Sequence, residues 1–136
     1  MNHKLLQNTH DQILAHPDQV NMTDWFLHKP PQADIAGHVV WLADGLNWLR
    51  ARDIITTIGV GMDWIKIKPL QMNALIPRRA IKLLDISDDQ ARRLFYVTEW
   101  PKVFRDGIQD LRVGSPMYAA VVAQRIQSFL DYPSTT

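Results

Sequence analysis

Two histidines offer the first chemistry in this chain, His28 and His38, within the stretch DWFLHKPPQADIAGHVVWLADG that runs from Asp24 to Gly45. Imidazoles are the commonest metal ligands and move protons near neutral pH, so a pair flanked by Asp24 and Asp34 invites the reading of a small metal-dependent hydrolase. Histidines that share a metal usually sit one helical turn apart or within a tight loop. These two are ten residues apart with Pro30-Pro31 between them. That spacing matches no ligand signature, so no metal site is assigned. The competing reading makes His38 a core histidine that donates to a backbone carbonyl, because buried polar groups must find partners.

Glu99 is the next candidate, the one glutamate among fourteen acids. It precedes Trp100 and Pro101, and a carboxylate held against an aromatic ring can have its pKa raised for general acid work. The bland reading is a surface residue. No GxSxG, HExxH, P-loop or GxGxxG motif is present, and Gly59-Val60-Gly61 is too short a pattern to count. With no cysteine anywhere, disulfides, thiolate zinc sites, iron-sulfur ligation and a thiol nucleophile are excluded together. No catalytic residue and no cofactor are assigned, and the residues favour a non-enzymatic role.

A nucleic-acid reading rests on IPRRAIKLLDISDDQARRLF, where Ala80, Leu84, Ile86, Ala91 and Leu94 take spacings that a helix-turn-helix buries. Arg92 and Arg93 would be its contact residues, with Arg78, Arg79 and Lys82 nearby. Asp85 falls where the turn prefers Gly, although Asp tolerates a left-handed backbone. Asp88 and Asp89 weigh against the idea, because they would bring two negative charges to the phosphates. The alternative is two packed helices joined by a capping box.

These residues need a scaffold, and the helical signals supply one. Ser87 followed by Gln90 is a capping box, with Asp88 and Asp89 suited to the positive helix end, so a helix starts at Ser87. Ser115-Pro116 is a cap followed by proline at the first helical position, and a helix runs from there to about residue 131. Its stripe of Ala119, Val122, Ala123, Ile126, Phe129 and Leu130 faces the core. An opening helix covers about residues 3 to 15, with Leu6, Ile13 and Leu14 as its stripe and His16-Pro17 as its stop. Ile35, His38, Val39 and Leu42 fall on one face of a nearly all-apolar helix ended by Gly45. A further helix covers about 73 to 84, with short helical pieces at LNWLRARD and KVFRDGIQDL. IITTIGVGMDWIKIK, residues 54 to 68, reads as a small hairpin.

Bulk composition agrees with this scaffold. The 136 residues suit one domain, apolar residues make up 46% and charged residues 21%, and the net charge is +1. Such a balance argues against a general phosphate-binding surface. No apolar run approaches the roughly 20 residues of a membrane span, so a cytoplasmic protein without membrane contact is expected. The five tryptophans read as core or rim packing.

Trp25, the Ile35-Ala36-Gly37 segment with its apolar helix, the KLLDIS junction and LFYVTEWP followed by Phe104 together resemble a small uncharacterised bacterial family of mostly helical proteins. Many of its members carry Trp-x-x-x-Cys-Gly-Thr-x-x-Cys before Ile-Ala-Gly. Here Lys29 and Asp34 take the cysteine positions, and Pro30 and Pro31 take those of Gly and Thr. The resemblance covers about two thirds of the chain and leaves residues 46 to 72 unmatched. It implies a fold and no chemistry.

The expectation is an all-α fold, a compact orthogonal bundle of five or six helices in one domain over residues 1–136, with a small β-hairpin near 54–68. The best functional reading is a non-catalytic interaction or adaptor domain, a homodimer or the binder of a protein partner. The DNA-binding regulator at residues 76–96 and the hydrolase around His28 and His38 are the alternatives.

Overall fold

Asn2 begins the first helix by turning its side chain back on the chain: Oδ1 accepts from Leu5 N at 3.1 Å, and α1 follows from His3 to Ala15. The computed structural model describes residues 1–28, 30–50 and 75–133. The buried face of α1 is Leu6, Thr9 and Ile13. Thr9 hides its hydroxyl by donating to Leu5 O at 2.8 Å, the back-bond to the previous turn that lets a threonine lie in a helix interior. Leu14, expected on this stripe, is 48% exposed. It sits one position past Ile13, and the rotation of 100° per residue carries it off the core face.

A 3-10 turn at Pro17–Gln19 leads to a short ladder that no sequence signal marked. Phe26–His28 (β1) and Pro31–Ala33 (β2) pair antiparallel, with Phe26 opposite Ala33 and His28 opposite Pro31. The Pro pair is therefore divided: Pro30 lies in the turn, and Pro31 opens a strand, a position where a missing N–H is tolerated. Three-residue strands are too short to show alternation. The hairpin expected at 54–68, with Gly59, Gly61 and Trp64, lies outside the described residues.

Asp34 caps α2, Ile35–Asp44, its buried Oδ1 accepting from Gly37 N at 2.8 Å. The first six residues of α2 are buried, and its last turn surfaces at Leu42 and Ala43. Gly45, at φ +94°, ends it in a conformation that a side chain would strain. Gly37 is required for a different reason. A Cβ there would lie 2.0 Å from the Trp25 carbonyl oxygen and 2.6 Å from the Ala33 Cβ, so α2 rests directly on the backbone before β1. Residues 46–50 are helical again (α3), with Leu49 fully buried.

The second half is helical. α4 covers Leu75–Leu84 and holds Pro77 in its first turn. Arg79 clamps it to the end of α2 through a two-pronged contact with Asp44, Nε to Oδ2 at 2.7 Å and Nη2 to Oδ1 at 3.1 Å. Asp85 takes φ +53°, the left-handed turn residue before α5, Asp88–Phe95. The capping box of α5 is complete: Gln90 N donates to Ser87 Oγ at 3.1 Å and Ser87 N to Gln90 Oε1 at 2.9 Å. A 3-10 turn at Val97–Glu99, α6 at Lys102–Ile108 and α7 at Pro116–Asp131 complete the chain. Ser115 caps α7 by accepting from Tyr118 N at 3.2 Å.

The fold is mostly α, seven helical segments among the described residues beside one two-stranded ladder. Its centre is the packing of α7 on α1, with α2 held between α1 and α4, and α6 lying on α7. Asn2 N donates to Leu84 O at 2.7 Å, so the start of the chain satisfies a carbonyl at the end of α4. Among the described residues no helix is long and apolar enough to cross a membrane.

Candidate functional site

His38 lies in the fully buried part of α2. Its Nε2 is 2.9 Å from the carbonyl oxygen of Gln19, which can only accept, so Nε2 carries the proton and Nδ1 the lone pair. The ring stacks on Trp41 at 5.3 Å between centroids with a 6° interplanar angle. Burial pushes its pKa down to about 4, and the Gln19 and Ala33 carbonyls oppose the shift while His16 adds to it. A neutral, buried imidazole bonded to a backbone carbonyl is the core histidine that the spacing allowed. His28 closes β1 opposite Pro31. Among the described residues no three His, Asp or Glu side chains gather closely enough to hold a metal ion.

The remaining sequence candidates lie on the last turn of α5 and in the turn that follows it. Glu99 is exposed, whereas Trp100 beside it is buried and donates from Nε1 to Leu94 O at 2.9 Å. Arg93 bridges to Asp89 at 3.2 Å one turn earlier, and Arg92 is exposed. The last carbonyls of a helix lack partners within it. Here Tyr96 N serves Arg92 O at 3.2 Å, Trp100 Nε1 serves Leu94 O at 2.9 Å, and Arg125 Nη2 from α7 serves Arg93 O at 2.9 Å.

Arg125 is a residue that reading the sequence missed. It is fully buried, with its guanidinium carbon 5.9 Å from the Phe104 ring centre and 5.8 Å from that of Phe129. Burial, then the charge of Arg93, lowers its pKa to about 10, so it remains a cation at neutral pH. Among the described residues no carboxylate pairs with it and its Nε and Nη1 make no hydrogen bond. Its position follows from spacing, since 125 lies three residues after Val122 and four before Phe129 on the buried stripe. A search for apolar residues steps over it.

Beside this junction a cleft of about 390 Å³ opens among Met22, Tyr96, Val97, Ile108, Leu111 and Tyr118, with Thr23, Thr98 and Gln109 as its polar handles. None of its lining side chains carries a charge at neutral pH. Tyr118 is 5% exposed, and its hydroxyl oxygen accepts from Met22 N at 2.9 Å. No acceptor among the described residues meets the proton of that hydroxyl. Burial raises the Tyr118 pKa, the Met22 N–H opposes this and Asp34 reinforces it. Tyr96 is pushed up to about 12, by burial first and then by the charge of Asp34, against Arg92. Both phenols therefore stay neutral hydrogen-bonding groups. Behind them the Trp25 ring meets Tyr96 edge-on at 5.8 Å and Phe95 at 6.4 Å.

A concave, mostly apolar surface with a few convergent polar groups has the make-up of a binding site, and its volume falls within the roughly 300–1,000 Å³ of such sites. It draws on four separate stretches of the sequence, of which Tyr96, Val97 and Thr98 lie in LFYVTEWP and the others carry no motif. No family model, no curated protein and no solved structure matches the chain.

Proposed function

We propose that this chain is a non-catalytic interaction domain of the cytoplasm that holds an apolar segment of a protein partner in the cleft beside Tyr96 and Tyr118. The observation that supports this reading is the lining itself: an uncharged, largely apolar hollow with two neutral tyrosines among its lining residues. Such a surface favours burial of apolar side chains and offers no group poised to exchange a proton near neutrality. A second copy of the chain is the alternative occupant. Membership of the mostly helical bacterial family that the Ile35-Ala36-Gly37 segment resembles fits the same reading.

The DNA-binding alternative is supported less well. Arg78 Nη1 holds Asp88 at 2.7 Å and Arg93 holds Asp89 at 3.2 Å, so two of its arginines already neutralise the aspartates at the start of α5. Retention of the wild-type chain on a low-salt DNA column, lost on removing Arg92 and Arg93, would favour it.

Peptide-display selection against the intact chain tests the main reading. Sequences anchored by Leu, Phe or Ile should be enriched and should fail to bind Thr98→Trp, which fills the cleft from an exposed position. An unenriched pool, or binding indifferent to that change, overturns the proposal. Concentration-dependent dimers in sedimentation that Thr98→Trp abolishes identify a second copy as occupant.

A further inference from the structure

The cleft continues past its rim. A second hollow of about 320 Å³ shares Val97, Thr98, Ile108 and Gln109 with it and adds Arg105 and Asp106. The two form one trough, uncharged on the Tyr118 side of the shared saddle and charged on the Arg105 side. Asp106 is engaged by Lys102 Nζ one helical turn away. Arg105 is exposed and meets no carboxylate among the described residues. A free guanidinium in a hollow that adjoins an apolar cleft is a two-pronged receptor for a carboxylate.

Resting on the interaction-domain reading, we propose that the trough binds the C-terminal end of a partner polypeptide, its last apolar side chain in the cleft and its terminal carboxylate on Arg105. An interior segment serves Arg105 only where it carries an Asp or Glu at the right spacing, whereas a C-terminus always carries a carboxylate on the residue that enters the cleft. A peptide suits the saddle better than a fatty acid does. Thr98 and Gln109 stand exposed there, where the peptide group that precedes the last residue, held beside its carboxylate, can bond with them and methylenes cannot.

Fluorescence anisotropy on the full chain tests this with a fluorescein-labelled peptide, Gly-Ser-Gly-Ser-Leu-Leu, bearing a free carboxylate, and its C-terminal amide. The free acid should bind roughly fivefold more tightly at low ionic strength, the effect of one exposed ion pair. That difference should shrink with added salt and vanish in Arg105→Gln, whose exposed position leaves the fold intact. Equal binding of acid and amide overturns the C-terminal assignment and leaves the interaction-domain reading, which the display selection judges separately. Failure of both peptides to bind also overturns the assignment. Arg105-dependent binding of decanoate in the absence of peptide binding replaces the peptide with a small carboxylate amphiphile.

Discussion

Arg125 Nη2 donates to the carbonyl oxygen of Arg93 at 2.9 Å, so a buried cation of α7 closes the C-terminal end of α5. The contact is favourable twice over, because that carbonyl lacks a helical partner and the end of a helix carries partial negative charge. It also sits in the part of the fold that sets the back of the cleft, since Tyr96 follows α5 directly.

Truncating Arg125 to Ala should destabilise the protein by about 3 kcal/mol, the scale of emptying a large core site. Arg125→Met should recover most of this, because it refills the space between Phe104 and Phe129 and removes an unpaired buried charge. Urea unfolding of the two variants checks the ordering. A methionine variant as unstable as the alanine one would mean that the hydrogen bond to Arg93 O dominates.

Gly37→Ala should be among the most damaging single changes. Its Cβ would fall 2.0 Å from the Trp25 oxygen, a backbone atom that no side-chain rotation can move aside. A loss of about 3 kcal/mol or more is expected, at the upper end for overpacking. Gly107→Ala is the control: its nearest neighbour atoms are 3.8 Å away on Val121, and its melting temperature should not fall.

Ser87→Ala removes one half of the capping box and should cost about 1 kcal/mol. Ser87→Asp should retain most of the stability, since its carboxylate also accepts from Gln90 N. Thermal melts of the two variants separate a lost cap from a general effect of substitution at this site.

Stability should fall with acid because of His38. Its pKa drops from 6.5 to about 4 in the folded chain. Above pH 6.5 the ring is neutral in both states and the full stability is present. Between 6.5 and 4 the unfolded chain takes up a proton that the folded chain refuses, which costs up to roughly 3 kcal/mol. His38→Gln should flatten the urea midpoint across that window. An unchanged slope would place the acid sensitivity elsewhere.

Much of the helical frame was legible because its signals are local. Ser87 with Gln90, Ser115 with Pro116, and Gly45 each act within a few residues, and the structure begins or ends a helix at each of them. Asp85, where the turn prefers Gly, takes the left-handed conformation that Asp tolerates. The strands β1 and β2 were not: a three-residue ladder shows no periodicity, and Pro31 argues locally against a strand. The burial of Trp100 and the exposure of Glu99 beside it depend on how the turn at Val97–Glu99 docks, which adjacent residue types do not encode.

The amino-acid sequence by itself determined where the main helices begin and end, that His38 would lie on an apolar face, and that thiol chemistry is absent. Caps, turns and stripes are settled by neighbours three or four positions away. Only the tertiary structure decided that Gly37 must admit the Trp25 carbonyl, that Arg125 would reach Arg93 across 32 positions, and that Met22 would meet Tyr118 across 96. Those contacts, and the cleft they border, arise from packing between distant segments, where no local rule acts and shape and hydrogen-bond completion decide.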